Sequence, residues 1–574
     1  MLSERVGEMF TTLLIIECVL GSAAANIFLK LIVMKHLFYF LSALLFFSCS
    51  SPKKGETRTA FKYNQMGAVT SLDPAASSSF ENIWVTGQLY NGLVELTDSL
   101  TIQPALAKSW EISADGLIYT FHLRNNVFFH DNGCFENGKG REVKAGDFVY
   151  AFNRLQDPKV SRATSLLSFV QPVNGFEAYN DTTFIIRLQR SFTPFLGILT
   201  MKFFSVIPHE AIELYGEDFR RNPVGTGPFQ FKMWEEGAKL VLLKNPSYFE
   251  KEGEVRLPYL DAIAISFTKD RETSFLNFLK GELDMVSGID AINTDQVLTP
   301  EGKLKEEFNN SMVLQTQPFL KTDYLGFFID EKFAIVQQAP FKLKAIRQAI
   351  NYGFDRKKMV AYLRRNLGTP AIAGFVPPGL ASYDADKVKG YDYNPDEVKK
   401  LLKQAGFPGG AGLPELTLAT AEQYQDLGEY IQAQLGELGI KIKLDIQKAS
   451  VLNEAIGNSK VNFFRKSWVA DYPDEENFLG LFYGKNWSPK GFNFTHYINP
   501  EYDRLFEMAQ VEQDPSKRKG YYQQMDQLLM NDAPVVVLYY DQVVRLVHRN
   551  IGGLTSNAMN MLSLKKVKKI KSLL

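Results

Sequence analysis

The sequence predicts a mixed α/β fold built of more than one lobe, and three observations carry that expectation. Helix and strand signatures follow one another along the chain, with helices that stop at a glycine and hand over to strands. The chain has 574 residues, too many for one hydrophobic core, so two or three domains are expected. Of its three cysteines, Cys18, Cys49 and Cys134, only the last lies in the body, so no disulfide within the body can brace the fold. Stability must come from a large core, and 44 Phe and 25 Tyr are enough both to fill one and to line a pocket.

The N-terminus decides the compartment. Residues 34–49 run Met34-Lys35-His36, an apolar stretch over 37–47, then Ser48-Cys49. This is a short basic start, an apolar core too brief for a mature span, a small residue and a cysteine. It resembles a bacterial lipoprotein signal, in which the cysteine (here Cys49) is acylated and becomes the new N-terminus. Phe46 and Phe47 stand where Leu and a small residue are usual, and an uncleaved anchor helix is the alternative. Either way the bulk of the chain is expected outside the cytoplasm, tethered to a membrane. A second apolar run over 11–33 is interrupted by Glu17, Asn26 and Lys30. Glu17 would be costly in a bilayer, so residues 1–33 are read as lying upstream of a true start at Met34. Residues 50–58 are a polar tether without an acidic run, which favours the periplasmic side.

In the body, residues 117–124 alternate, with Tyr119, Phe121 and Leu123 on one face and Thr120, His122 and Arg124 on the other, as in a half-buried strand. Asn394-Pro395-Asp396-Glu397 opens a helix with a capping side chain, proline in the first turn and acids at the positive dipole end. Val398, Leu401, Leu402 and Ala405 form its apolar stripe and Gly406 ends it. A helix through Leu427, Ile431, Leu435 and Leu438 stops at Gly439, and a strand follows with Ile440, Ile442, Leu444 and Ile446 on one face.

Charge and motifs exclude several function classes. Lys plus Arg equals Asp plus Glu at 64 each, which gives no support for nucleic-acid binding. Gly133 to Gly140 nearly spells a phosphate loop, but Gly140 replaces the magnesium-binding hydroxyl and no apolar strand leads in, so it reads as a surface loop. Gly225-Thr226-Gly227 reads as a tight turn before a strand over 229–231. The six histidines show no ligand spacing, so no metal site and no cofactor are expected. No nucleophile signature appears, and no enzyme activity is expected.

The segment Ser467-Trp468-Val469-Ala470-Asp471-Tyr472-Pro473-Asp474 is different. A strand delivers a Trp and an Asp into a loop with an aromatic residue behind. A carboxylate beside aromatic surface suits an ammonium-bearing ligand. A helix-capping Asp beside a core Trp fits the same spacing.

Several segments then carry a resemblance. They include Ser71-Leu72-Asp73-Pro74, Gln88-Leu89-Tyr90-Asn91-Gly92-Leu93, Tyr119-Thr120-Phe121-His122-Leu123-Arg124, Pro223-Val224-Gly225-Thr226-Gly227-Pro228-Phe229 and Arg347-Gln348-Ala349-Ile350-Asn351-Tyr352. From about 61 to about 553 the chain resembles the extracellular solute-binding proteins of family 5, the peptide and nickel ABC-importer binding proteins. A longer loop over 132–141 departs from the family.

The resemblance implies an α/β periplasmic-binding-protein clamp of type II-like form, two hinged lobes with a subdomain inserted in the first. Lobe one would comprise 57–95, 200–318 and 538–574, the subdomain 96–199, and lobe two 319–537. It implies that short peptides are held between closing lobes and passed to an ABC permease, by a monomer anchored through its N-terminal lipid. A nickel chelate, haem or an oligosaccharide is the alternative cargo. Trp468 and Asp471 match the Trp-x-x-Asp segment whose acid pairs with the peptide's α-ammonium, with Tyr472 beside them. Backbone partners would lie near Ser77, Ser78 and Ser79. Arg545 and His548 fall in a family-like segment, as ligand-carboxylate partners or as structural residues.

Overall fold

The computed structural model describes residues 59–288 and 291–570; the signal, Cys49 and the tether lie outside the described residues. Two long antiparallel strands, Met312–Phe327 and Val535–His548, organise everything else. Both are rich in β-branched and aromatic residues, as buried strands require. They sit at the centre of a mixed sheet that runs Ile442–Gln447, Leu416–Ala421, Phe463–Val469, Met312–Phe327, Val535–His548, Met285–Ser287, Ala60–Asn64, Ala262–Ser266, Lys239–Lys244, Phe229–Glu235.

Pairing changes partway along the two long strands, and that divides the molecule. Met312 to Pro318 pairs with His548 to Gln542, and Met285–Ser287 continues the sheet on that side. Thr322 to Gly326 pairs with Tyr540 to Val535, and Phe463–Val469 continues it on the other. Between Pro318 and Thr322 the register shifts, leaving Phe319, Leu320 and Lys321 opposite Asp541 alone. A bulge bends a strand, and Pro318, which lacks an N–H, is tolerated beside one. The result is a two-lobed α/β clamp whose lobes share two strands.

Charges crowd the bend. Lys321 Nζ lies 2.6 Å from Asp541 Oδ2 and 3.2 Å from Asp323 Oδ2, Arg364 approaches Asp541 at 3.4 Å, and Arg465 contacts Asp323. Burial pushes the Asp541 carboxyl up, but Lys321 and Arg364 outweigh it and hold the group below the usual carboxylate range.

A separate four-stranded antiparallel sheet, Ala107–Ile112, Ile118–Leu123, Thr183–Arg187, Phe176–Asn180, is packed by the helix Ala145–Arg154. Tyr119, Phe121 and Leu123 point inward as the alternation predicts, and the rings of Phe148 and Phe152 of the helix pack against Phe184 at 5.6 and 5.5 Å, the second edge to face. The helix Pro395–Gln404 is capped by the Asn394 side chain, which accepts from the Glu397 N–H, and Gly406 follows at φ +89°. The strand Ile442–Gln447 departs from expectation at Ile446, which is 41% exposed, because this strand ends the sheet and its far half has no covering layer.

Gly225 and Gly227 form a contact more than a turn. A Cβ at either would lie 2.1 Å from the Leu89 carbonyl oxygen or 2.4 Å from the Leu89 carbonyl carbon. The loop therefore lies flat against the end of the helix Phe80–Leu89, which walls the cleft described below. The loop over 132–141 carries a short turn in which Lys139 pairs with Asp131 at 2.6 Å, a surface arrangement and not a phosphate cradle.

Asp541→Asn should destabilise the protein by about 1–3 kcal/mol, because it removes the acid that Arg364 faces and leaves Lys321 with Asp323 alone. Denaturant melts of both proteins check this. The loss should shrink as pH falls below the usual carboxylate range, where the native Asp541 also becomes neutral.

Candidate functional site

Between the lobes lies a cavity of about 780 Å³. Lobe one contributes the start of the helix Phe80–Leu89 and the loop before it, and lobe two contributes Val469, Ala470, Asp471 and Phe492. Residues from the C-terminal segment over 553–566 close one side. Phe80 also lines a second cavity of about 730 Å³, and its ring packs at 6.0 Å against Phe319 in the bend. The crevice thus has two chambers flanking the hinge.

Asp471 reaches this cavity because of the bend. The strand Phe463–Val469 pairs with the lobe-two half of Met312–Phe327 up to Val469, opposite Lys321. The Ala470 N–H then donates to the Leu320 carbonyl at 2.9 Å, while the Leu320 N–H donates to Ala558 at 2.8 Å. The chain leaves the sheet at the bulge, and Asp471 is the next residue.

Its side chain is open to the cavity yet closely surrounded by protein, and this partial burial raises its carboxyl above the ordinary range, with the Asn477 amide opposing. No cation pairs with it among the described residues. Asn477 Oδ1 accepts both from the Asp471 N–H at 3.1 Å and from Trp468 Nε1 at 2.9 Å, so one amide sets the relative position of the acid and the indole. The Trp468 ring does not line the cavity; it supports Phe492, 5.4 Å away and 54% exposed, which does.

Tyr472 departs from its expected place. It is 5% exposed, does not line the cavity, and turns toward the inserted subdomain, where a Cβ at Gly197 would sit 3.8 Å from its ring. Its hydroxyl donates to Glu476, whose carboxyl is pushed by burial up to about 7. Nearby, the Thr193 N–H donates to the Gln510 carbonyl at 2.8 Å and Thr193 Oγ1 to Glu512 at 3.1 Å. Tyr472 belongs to this contact between subdomain and lobe two.

Ser77, Ser78 and Ser79 all line the cavity, with different roles. Ser77 is buried and its hydroxyl donates to Thr86 Oγ1 at 3.0 Å, while Ser79 caps the helix Phe80–Leu89 by accepting from Asn82. Ser78 is exposed. Arg545 is structural: buried, over the Trp84 ring, it donates to Thr555, Asn560 and Met561. His548 stacks on Phe278 at 4.3 Å and bonds its carbonyl. Sequence reasoning missed Phe492 and Asn477. Asn477 lay within reach, six residues beyond Asp471 in the short helix Glu476–Leu479 that follows the loop, whereas nothing local marks Phe492.

Among the described residues no three His, Cys, Asp or Glu side chains are grouped to hold a metal ion, and no helix is long and apolar enough to cross a membrane.

The fold and cleft define a solute-binding clamp, and comparison with known proteins specifies the class. The model described as bacterial extracellular solute-binding proteins, family 5 Middle, matches residues 101–490, more than half the chain, and the protein belongs to that family. It is therefore a binding protein and not an enzyme. It is 26% identical over 490 residues to a glutathione-binding protein of Shigella flexneri, covering 84% of this chain and 89% of the relative. It is 26% identical over 484 residues to the dipeptide-binding protein of Escherichia coli, covering 81% and 86%. The periplasmic binding protein DppA of Helicobacter pylori, solved in complex with the peptide STSA, superposes with a TM-score of 0.73 at 25% identity, over 90% of this chain and 99% of that one. The Bacillus subtilis oligopeptide-binding protein AppA, solved with a nonapeptide, shares the fold at a TM-score of 0.70 and 23% identity, over 90% and 100%.

Two outcomes follow for the ligand-free protein. Asp471→Asn should raise its melting temperature slightly, because the partly enclosed surroundings that raise the Asp471 carboxyl disfavour its ionised form, a cost that the amide does not incur. Asn477→Ala should lower stability by about 1–2 kcal/mol by orphaning two donors, and differential scanning calorimetry reads both.

Proposed function

We propose that this chain captures short peptides between its lobes, pairing their α-ammonium with Asp471, and presents them to an ABC permease as a monomer tethered by a lipid on Cys49 in the periplasm. The observation that carries the reading is Asp471 itself. It is a carboxylate with no cation partner among the described residues, facing a cavity large enough for several residues of peptide. Surroundings that disfavour an ionised, unpaired carboxylate carry a cost to stability, and such a group is retained where a ligand of opposite sign completes it.

The relatives support the cargo. Two are named for binding glutathione or a dipeptide, and the Helicobacter pylori neighbour was solved with a bound peptide. Backbone groups near Ser78 would supply sequence-independent hydrogen bonds to the peptide, a mode that tolerates many side chains. Phe492, held by Trp468, would shield the ion pair from water and add attraction for the ammonium. We place the lobe division at the bulge, between 318 and 319 on the outgoing strand and beside Asp541 on the return, three residues beyond the 537/538 boundary expected from sequence. The subdomain would occupy 96–199. Closure would bring lobe two onto the peptide about these two strands.

The test is calorimetric titration of di- to pentapeptides with free or acetylated N-termini. Acetylation should abolish binding, and Asp471→Asn should weaken it by about 2–4 kcal/mol. Equal affinity for acetylated and free peptides would overturn the reading. The pH dependence has a fixed sign. A bound ammonium favours the ionised acid, so affinity should hold at neutral pH and fall as pH drops through the raised Asp471 carboxyl, a dependence Asp471→Asn should flatten.

A further inference from the structure

On the wall that lobe one turns toward the cavity stands a second charge without a partner. Glu95, Glu250, Lys565 and Lys202 cluster there. Lys565 Nζ lies 2.8 and 3.1 Å from the two Glu95 oxygens and 2.8 Å from Glu250 Oε1. Gln103 donates to Glu95 at 2.8 Å and the Tyr248 hydroxyl to Glu250 at 2.6 Å. Both acids are therefore satisfied, and a single ammonium answers both.

Lys202 forms no ion pair among the described residues, although its surroundings are crowded. That crowding depresses its ammonium below the ordinary range, Glu95 opposing and Lys565 adding to the effect. The residue lines the cavity, in a short turn over Lys202–Phe204. Its stem lies along the helix Phe80–Leu89 at Gly87, where a Cβ would come 3.6 Å from the Lys202 Cε. Arg162 also lines the cavity but is exposed to solvent, where an unpaired cation costs little.

We propose that Lys202 receives a carboxylate of the bound ligand, so that the cleft prefers peptides carrying a carboxylate within its reach while their ammonium rests on Asp471. This rests on the peptide reading above and adds to it a preference that the reading does not require. The two unpaired charges face one cavity from different lobes. A ligand of opposite polarity at its two ends neutralises both and links lobe one to lobe two. The carboxylate can be the peptide's C-terminus or an acidic side chain; either offers the same acceptor to one Nζ.

Calorimetry with the full-length chain, purified in detergent and stripped of copurified ligand, separates these cases. The probes are four tripeptides with free N-termini: Ala-Ala-Ala, its C-terminal amide, Ala-Glu-Ala amide and Ala-Gln-Ala amide. At least one carboxylate-bearing member should bind about 10–100-fold more tightly than its neutral counterpart. Lys202→Gln should erase that preference while leaving the neutral peptides unchanged, and Lys202→Arg should retain most of it. A preference for the C-terminal acid assigns Lys202 to the main-chain carboxylate, and one for Glu over Gln assigns it to a side chain. If the peptides bind with free N-termini but Lys202→Gln weakens acid and amide alike, the Lys202 assignment is wrong and the peptide reading stands. If none of the four binds, both fall. Thermal melts guard against misfolding: ligand-free Lys202→Gln should melt no lower than the native protein, and a lower melting point with all binding lost would contradict the assignment.

Discussion

The structure depends on one constraint, that two strands belong to both lobes at once. Because Met312–Phe327 and Val535–His548 are paired on either side of the bend, the two lobes are tied to each other through the bulge at Phe319, Leu320 and Lys321. The bulge also places Asp471 at the cavity. Leu320 is bonded through its carbonyl to Ala470 and through its N–H to Ala558, so the loop that presents Asp471 and the segment that closes the cavity are attached to the same hinge residue.

The second theme is charge held without compensation. In the hinge the acids and bases are matched closely, as a buried network requires. In the cleft Asp471, open to the cavity, and half-buried Lys202 both lack an ion-pair partner among the described residues, although Glu95, Glu250 and Lys565 beside Lys202 are paired with one another. The contrast around one cavity favours the reading that the two exceptions serve a ligand. Asn477 ties Trp468 to the Asp471 backbone, and on the peptide reading this would fix the acid and the aromatic ring before a ligand arrives and reduce what binding must order.

Much of the fold was legible because its signals are local. The cap at Asn394, the stop at Gly406 and the alternation of Tyr119, Phe121 and Leu123 each need only neighbours in sequence, and each appears in the structure. Ile446 misled because periodicity reports which residues could face a core, not where the sheet runs out of covering layers. Tyr472 misled for a related reason. Adjacency to Asp471 suggested a shared site, but the loop turns between them and sends the ring to the subdomain. Lys202 and Phe492 had no local signal at all. Their meaning lies in what surrounds them, namely the acids already claimed by Lys565 and the indole behind the exposed ring, and such relations exist only once distant segments are brought together.

The central claim is that an ammonium-bearing ligand is held between the lobes by Asp471. A crystal structure of the protein with Ala-Ala-Ala addresses it most directly. The account predicts the peptide in the cavity between the lobes, its terminal nitrogen within about 2.7–2.9 Å of an Asp471 carboxylate oxygen and Phe492 beside it. A peptide seated elsewhere, or one whose ammonium is met by another group while Asp471 faces solvent, would contradict it.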